Sequence, residues 1–494
     1  MFCVGAQPLN DLTLRHHAKR VAVPTYSRER LGSGVVHVGV GAFHRAHQAV
    51  YFDELAQRGI SSEWGITGVG LHSEEVRAAL APQNWLYTVI ERGAAAERIR
   101  VVGAMKNCLL ARTDPETVFA VMARKETRLV TLTVTGGGYH VDPVTGQLDR
   151  DHPDAGPTAR SRAPLTAAGY LVEALDRRRR DRIAPFTVLS CDNVPHNGSV
   201  ARTAVTGLAA LRDRRLARWI EHEVAFPDSV VDRITPATAP AARRSLAGAH
   251  GITDRWPVTT EAFTQWIVQS DFCNSRPPLE EVGVEFVADV APYALAKKRL
   301  LNGAHCAMAF LGLLAGRDTT AEVMADPLLG GFVARLMDEE ILPLVAAVPG
   351  LELREYARTI RGRFANPAMA DRLTRLSARA SAKMPAYLLP SLAEARAARR
   401  PTELLSLAVA GWLLALGHTG GIAIDDPHAV RLRMLAVTGG DDPRPLLRER
   451  WLFGDLADDE ALADTVGDWM HLLRHYGART VIADALSADL RMAA

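Results

Sequence analysis

The sequence has almost no excess of basic over acidic residues. The lack of such an excess argues against two classes of protein. Its 494 residues carry a formal net charge of +2 at pH 7. A protein whose main partner is a nucleic acid usually has a strong basic excess, so we expect no nucleic-acid partner. Charged residues make up 23% of the chain, and this fraction together with the near-zero net charge argues against a disordered chain. The composition therefore predicts a globular protein, long enough to form two cores.

Cysteine is also scarce, and the sequence lacks an apolar run long enough to cross a bilayer. The five cysteines are scattered and form no CxxC pair, which argues against a disulfide framework and favours a reducing compartment. Residues 1–8 contain no basic region leading into an apolar core, so we predict no signal peptide. The most apolar stretch, residues 404–416, is too short for a membrane helix. We therefore expect a cytoplasmic protein with no membrane partner.

The first half of the chain alternates β-rich runs with stretches of helical periodicity. The strand candidates are residues 34–40, 64–69, 129–134 and 186–190. A helix is predicted from Phe43 to Arg58, followed by Gly59 as a typical residue after a helix end. Strands that alternate with helices predict a parallel, doubly wound sheet.

The second half of the chain has a different character. From about Ala291 onward the apolar residues follow helical spacing, with few strand signals. The long helical candidates are residues 293–314, 327–348 and 402–417. We predict an α/β domain over residues 1–285, followed by a mostly α-helical domain over residues 286–494.

A glycine turn follows the first strand candidate and has the pattern GxGxxH. In a nucleotide-binding βαβ unit the first glycine permits the tight turn, and the second lets the backbone approach the pyrophosphate at the helix N-terminus. A third glycine usually allows close helix–strand packing, so His44 departs from the pattern. The place of the turn between a strand and a helix favours a dinucleotide site over an ordinary turn. The predicted cofactor-binding residues are Gly39, Gly41, Ala42, Phe43, His44 and Arg45.

The same region bears on the kind of cofactor and on metal binding. No acid is well placed for a ribose after the second strand candidate, because Glu74 and Glu75 come a few residues late. We predict NAD as the cofactor, and NADP stays open. His44 and His47 are spaced like a metal-binding pair, but a catalytic zinc needs three protein ligands and no third is evident nearby. A basic cluster facing phosphate or lying on the helix surface is favoured, and we predict no metal site.

The segment from Lys297 to His305 contains groups suited to alcohol oxidation. If it is helical, Lys297, Asn302 and His305 lie within a sector of about 140°, at about 100° per residue. A lysine withdrawn from water and beside other cations gives up its proton more readily, and it can then accept the hydroxyl proton of an alcohol. An asparagine amide can donate to the developing alkoxide, and a histidine can orient a neighbouring hydroxyl. The alternative is a basic helix start followed by a buried polar pair.

A second polar group follows the last strand candidate, in the order Ser190, Cys191, Asp192 and Asn193. Polar groups at the carboxyl ends of parallel strands often line ligand sites. Asn193 is therefore a second candidate donor to an alkoxide. A competing interpretation makes Cys191 or Cys306 a thiol nucleophile, but neither has an evident activating partner.

Together these motifs resemble the polyol-specific long-chain dehydrogenase family, which includes mannitol 2-dehydrogenase and fructuronate reductase. The resemblance covers roughly residues 32–477 and rests on residues 39–48, residues 190–193 and the 297–305 segment, in that order. It implies an N-terminal Rossmann-type domain, a helical C-terminal domain and metal-independent hydride transfer. It also implies that Lys297 is the general acid/base, that Asn193 and Asn302 hold the alkoxide, and that His305 positions the substrate.

The resemblance extends to residues that would bind the substrate. It implies that Asp232, Arg375 and Lys383 contact the polyol chain. The alternative is a structural ion pair between Asp232 and Arg375. Gly136 and Ala294 stand where family members tend to carry glutamate, and the loss of these acids also suits an anionic sugar.

The function implied by the resemblance is that of an NAD(P)-dependent dehydrogenase acting on a polyol and its keto sugar. The pair we expect is mannitol and fructose, and the alternative is fructuronate reductase (D-mannonate oxidoreductase). A sugar- or nucleotide-binding regulator is the non-enzymatic alternative, and the complete set of Lys297, Asn302 and His305 argues against it. The resemblance favours a monomer whose partner is a small-molecule substrate.

Overall fold

The chain divides into two compact units, Met1–Ala291 and Pro292–Ala494. The structure is a computed structural model. It describes residues 5–142, 145–149, 151–155, 163–369, 371–417, 422 and 425–492.

The first unit is built on a five-stranded parallel sheet. Its strands are β1 (Val35–Val38), β2 (Ile66–Gly70), β3 (Met105–Leu110), β4 (Leu129–Leu132) and β5 (Thr187–Ser190). Their order across the sheet is β3-β2-β1-β4-β5, and every neighbouring pair is parallel. The strand order reverses at β1, which is the switch point of a doubly wound nucleotide-binding fold. The predicted parallel sheet is therefore confirmed.

The strands are apolar because both faces of the sheet are covered. Val36 and Val38 of β1 belong to one core cluster, whereas Val35 belongs to the other. Successive side chains of a strand point to opposite faces, so a sheet with two covered faces needs an almost continuous apolar run. The α-helices of this unit are Leu14–His17, Ala42–Ala46, Gln48–Gln57, Glu75–Leu80, Pro115–Ala123, Ala167–Arg180, Asn197–Arg212, Arg214–Glu223 and Pro240–His250.

The described part of the first unit also contains three smaller sheets. Tyr87–Arg92 pairs with Val258–Glu261 and Glu97–Val102. Gln265–Gln269 pairs with Ser229–Asp232 and Glu285–Val287. Gln7–Pro8 pairs with Ile252–Thr253. The 3₁₀ turns of this unit are Arg28–Arg30, Ala81–Gln83, Gly136–Tyr139 and Leu279–Val282.

The helix predicted from Phe43 to Arg58 is interrupted. Two helices, Ala42–Ala46 and Gln48–Gln57, meet at His47, whose backbone leaves helical geometry at φ −119° and ψ −88°. The His47 ring is buried, and its Nε2 lies 2.9 Å from the Gln265 carbonyl. This long-range contact accompanies the break, and the apolar spacing of the sequence carries no sign of it. The predicted end is confirmed, since Gly59 follows the second helix with φ +70°.

The second unit is helical, as predicted. Its α-helices, together with the one that begins at Ala291, are Ala291–Ala296, Gly303–Leu314, Thr320–Ala325, Pro327–Arg335, Leu353–Phe364, Leu373–Ser377, Ala380–Tyr387, Leu389–Ala397, Glu403–Gly417, Ala429–Gly439, Arg444–Leu447, Arg450–Phe453 and Glu460–Met492. Its 3₁₀ turns are Leu342–Leu344 and Gly454–Asp458. Two of the predicted long helices contain π-helical turns, at Lys297–Asn302 and Leu336–Ile341.

The apolar run at residues 404–416 forms the centre of this unit. Every residue of that run is buried within the Glu403–Gly417 helix, so its apolar character serves packing on all sides. Among the described residues, no helix combines the length and hydropathy that a membrane crossing requires.

Candidate active site

The glycine turn after β1 has a backbone that its first glycine alone can adopt. Gly39 has φ +96°, and a Cβ atom at this position would lie 2.2 Å from the Thr133 carbonyl oxygen. The Thr133 hydroxyl donates a hydrogen bond of 2.7 Å to the Gly39 carbonyl, which ties the turn to the end of β4. Both the positive φ and the close approach of β4 therefore require glycine here.

Gly41 has a different role, because its surroundings are open. A Cβ atom here would approach nothing closer than the Gly39 carbonyl oxygen, at 3.8 Å. Gly41 lines a cavity of about 390 Å³ together with residues 39–40, 70–73 and 133–134, which lie at the carboxyl ends of β1, β2 and β4. This is the edge at which doubly wound folds bind dinucleotides. The bare backbone at Gly41 leaves room for a phosphate group to approach, so the turn fits a dinucleotide.

His44, Arg45 and His47 are buried, which contradicts the prediction of a basic cluster on the helix surface. The His44 ring stacks on His37 with centroids 3.3 Å apart, and burial lowers the pKa of His44 well below its usual value. Arg45 donates to the Trp256 carbonyl and lies over the Tyr87 ring. The side chains of His44 and Arg45 thus pack in the first unit, and only residues 39–41 of the turn line the cavity. Their contact with a cofactor stays a prediction.

Burial also fixes the charge of the histidine beneath the turn. Burial lowers the pKa of His37 to about 3, so its ring is neutral at physiological pH. Its Nδ1 lies 2.8 Å from the Thr131 hydroxyl, and its Nε2 lies 3.0 Å from the Thr133 hydroxyl. The stacked pair fills the space where a third glycine would bring helix and strand together.

Asp192, for which no role was predicted, connects the ends of β4 and β5. Its carboxylate accepts hydrogen bonds from the Val134 and Thr135 N–H groups at 3.0 and 2.8 Å, and from the Tyr139 hydroxyl at 2.6 Å. Burial raises the pKa of Asp192, and these donors oppose that shift. Thr135 has φ +66°, a strained value for threonine. Asp192 therefore holds a strained turn at the rim of the cavity.

Asn193 follows Asp192 directly and is exposed. The competing thiol interpretation fares poorly, because burial raises the pKa of Cys306 to about 12 and raises that of Cys191 as well. Both thiols are therefore protonated and unreactive near neutral pH.

In the second unit, Lys297, Asn302 and His305 lie on consecutive turns of one helical stretch. Lys297 and Asn302 bound the π-helical turn, and His305 follows in the Gly303–Leu314 helix. A π turn bonds residue i to i+5, which brings Lys297 and Asn302 closer to one helix face than an α-helix would. Single π turns within α-helices are frequent at functional sites.

The environment of these residues is well packed. Lys297 is 8% exposed, and the His305 ring lies 4.5 Å from the buried Phe364 ring. Arg299, within the π turn, donates to the Ser391 hydroxyl at 2.7 Å and to Glu394 at 2.9 Å. These bonds anchor the π turn to the Leu389–Ala397 helix. Lys297 is therefore held in a fixed position with little access to water.

Arg375 and Lys383 lie together in the second unit. The Arg375 guanidinium makes two bonds to Asp371, at 2.7 and 2.5 Å. Lys383 donates from Nζ to the Arg375 and Leu376 carbonyls, at 3.1 and 2.9 Å, and burial lowers its pKa. Lys383 thus caps the end of the short helix that carries Arg375. Arg375 is still 56% exposed, so N–H groups remain for a ligand.

Asp232, the third predicted substrate residue, ends the Ser229–Asp232 strand of the first unit and is buried. Its neighbour Arg233 forms an ion pair of 2.6 Å with Glu91. Asp232 is therefore a buried carboxylate next to Arg233, and the charge of Arg233 is already balanced by Glu91.

Comparison with known proteins gives matches to both units. Residues 33–281 match the mannitol dehydrogenase Rossmann domain, and residues 289–472 match the mannitol dehydrogenase C-terminal domain. The chain is 42% identical over 454 residues to a mannitol 2-dehydrogenase of Aspergillus fumigatus, covering 89% of this chain and 90% of that protein. It is 41% identical to a mannitol dehydrogenase of Saccharomyces cerevisiae over 91% of each.

Two solved structures resemble the whole chain. The Pseudomonas fluorescens mannitol 2-dehydrogenase in ternary complex with NAD and D-mannitol has a TM-score of 0.85 and 38% identity, covering 97% of this chain and all of that one. A D-sorbitol dehydrogenase in substrate-free form has a TM-score of 0.89 and 32% identity, covering 96% of this chain and all of that one. These matches confirm the resemblance on which the sequence predictions rest.

Proposed function

The chain belongs to the mannitol dehydrogenase family, and we propose that it is an NAD-dependent oxidoreductase that interconverts mannitol and fructose. The observation that carries the proposal is the π turn that bears the buried Lys297 and the half-buried Asn302. It occurs in the same chain as a glycine turn suited to a dinucleotide.

The first unit would hold the cofactor at the glycine turn. Gly39 sets the turn, and the open backbone of Gly41 accepts the pyrophosphate. Residues 70–73, at the carboxyl end of β2, line the same cavity where the ribose of a dinucleotide is usually bound. When bound, NAD supplies the acceptor for the hydride that leaves the alcohol carbon.

The polar residues of the chain manage the proton and the developing negative charge. Lys297 takes the proton of the reacting hydroxyl, and its low exposure limits competition from water. Asn193 and Asn302 donate amide hydrogens to the alkoxide, and His305 orients the substrate. Asp232, Arg375 and Lys383 bind the remaining hydroxyl groups of the polyol.

The test follows the absorbance of the reduced nicotinamide with fructose, fructuronate and several pentuloses, using NADH and NADPH in turn. We expect oxidation of NADH with fructose. A preference for fructuronate would make the protein a uronate reductase and recast Arg375 or Lys383 as a carboxylate-binding cation. No turnover with any substrate, while NADH still binds, would favour the nucleotide-binding regulator.

The role of Lys297 is tested separately with K297A. We expect kcat to fall by roughly 10²–10⁴-fold, the usual contribution of a general base, while NADH affinity by fluorescence titration is retained. K298A is the matched control, because Lys298 is the adjacent lysine of the same π turn and has no proposed role. Equal losses in K297A and K298A would refute the assignment.

We further propose that the protein is a monomer in the cytoplasm. The four cysteines that the structure describes, Cys108, Cys191, Cys273 and Cys306, form no disulfide, which suits a reducing compartment.

A further inference from the structure

The last long helix of the second unit carries two histidines one turn apart. His471 and His475 are at positions i and i+4 of the Glu460–Met492 helix, before its backbone leaves helical geometry at Gly477, and their ring centroids are 4.3 Å apart. Asp441, in the turn after the Ala429–Gly439 helix, lies beside them, with Oδ2 3.1 Å from His471 Nδ1. One ligand atom from each residue lies within 4.8 Å of the others. Over the described part of the chain, no other group of three such residues meets this spacing.

We propose that Asp441, His471 and His475 form a binding site for a divalent transition-metal ion of the Zn²⁺ class. Two imidazoles and one carboxylate suit Zn²⁺ and its first-row neighbours, whereas Mg²⁺ and Ca²⁺ prefer oxygen ligands only. Bonds of about 2.0–2.2 Å to a tetrahedral ion place its ligand atoms roughly 3.4 Å apart. The three ligand atoms, all within 4.8 Å of one another, therefore need to close by at most about 1.4 Å, which rotation of exposed imidazoles can supply.

The backbone prepares the site before an ion arrives. Residues at i and i+4 of a helix project from the same face, so both imidazoles are presented together. Arg474 donates from Nε to Asp441 Oδ1 at 2.7 Å and from Nη2 to the Gly440 carbonyl at 3.2 Å. These bonds fix the carboxylate so that its other oxygen faces His471. The positive charge of Arg474 opposes a cation, which favours ions that bind imidazole strongly over ions held by charge alone.

The position of the site determines how an ion reaches it and how ion binding affects the stability of the fold. The His471 side chain is 55% exposed and that of Asp441 is 33% exposed, so an ion can enter from solvent and keep water in its remaining position. A bound ion would join the turn at Asp441 to a helix 30 residues further along the chain. Because only the folded chain brings these ligands together, binding stabilises it. None of the three residues belongs to the proposed catalytic set, so the proposal is independent of the proposed function.

The experiment uses the full-length protein without a polyhistidine tag, after treatment with a chelator and dialysis. Zn²⁺ is titrated by calorimetry, and Co²⁺ binding is followed by its visible absorption. We expect one equivalent of Zn²⁺ to bind and the unfolding temperature to rise. The H471A/H475A variant should lose affinity by roughly tenfold or more, since even an outer partner of a metal ligand is worth about 10–100-fold.

The matched control is H16A/H222A, which removes two exposed helical histidines outside the cluster. It should bind Zn²⁺ as the unmodified chain does. H475A alone serves if the double variant folds poorly, and far-ultraviolet circular dichroism without added metal reports on folding. The proposal is overturned if Zn²⁺ does not bind saturably, or if H471A/H475A or H475A binds it as tightly as the control.

Discussion

At the residue scale, the two glycines of the turn after β1 have separable roles, which substitution by alanine should reveal. G39A places a methyl group against the Thr133 carbonyl in a left-handed backbone, at a cost of at least about 1–2 kcal/mol. We expect its unfolding temperature to fall by several degrees. In G41A the added methyl meets only the Gly39 carbonyl at 3.8 Å, so stability should be retained within about 0.5 kcal/mol.

The cost of G41A should appear in cofactor binding. Its methyl group would occupy space that the pyrophosphate needs, and we expect KM for NADH to rise by roughly tenfold, equal to about 1.4 kcal/mol. Calorimetry and initial rates measure the two effects. If G41A bound NADH as the unmodified chain does, the cofactor would not approach the turn at Gly41.

Residue roles were predictable where the cause is local. Gly39 and Gly41 could be identified because the turn depends on the conformation of a few adjacent residues. The role of Asp192 depends on hydrogen bonds to Val134 and Thr135, 58 and 57 residues earlier. Its own neighbours in the sequence give no sign of those partners.

At the element scale, the second π turn carries a buried acid that caps a central helix. Glu340 accepts hydrogen bonds from the Leu404 and Leu405 N–H groups, both 2.8 Å, at the start of the Glu403–Gly417 helix. Burial raises the pKa of Glu340 from 4.5 to about 7. Below pH 4.5 Glu340 is protonated in both the folded and the unfolded chain. Folding then buries a neutral carboxylic acid rather than a charged carboxylate.

The stability that depends on neutral Glu340 is lost as pH rises through about 7, because the folded chain must then bury a carboxylate. At about 1.4 kcal/mol per pKa unit this amounts to roughly 3 kcal/mol. E340Q cannot ionise, so its unfolding temperature should gain on that of the unmodified chain between pH 5 and pH 8. Differential scanning calorimetry across this range measures the gain.

E339Q is the matched control, because Glu339 is the adjacent acid of the same turn and its side chain is 52% exposed. The unfolding temperature of E339Q, plotted against pH, should run parallel to that of the unmodified chain. If the unfolding temperatures of E340Q and the unmodified chain differed by a constant amount between pH 5 and pH 8, Glu340 would not titrate in that range.

Elements were predictable where apolar spacing determines them. The strands of the main sheet are apolar on both faces, and the Glu403–Gly417 helix is apolar on every side. The π turns at Lys297–Asn302 and Leu336–Ile341 were not predicted, since one extra residue in a turn hardly changes the apolar spacing. The break at His47 was missed for a related reason, because it accompanies a contact with a distant strand.

At the scale of the whole molecule, the exposed apolar surface bears on the proposed monomer. Val430, Met434 and Val437 lie on one face of the Ala429–Gly439 helix, and each is at least 63% exposed. Stable interfaces bury about 20–30 residues on each side. Three side chains on one helix are too few to hold two copies together.

We therefore expect light scattering after gel filtration to give one chain mass, 53.6 kDa, at micromolar concentration. M434E places a charge at the centre of the exposed helix face and should leave this mass unchanged, because no partner surface is lost. If the unmodified protein instead gave twice the chain mass and M434E gave a single chain, the helix face would be a dimer interface. A doubled mass in both proteins would also refute the monomer and would place the interface on another surface.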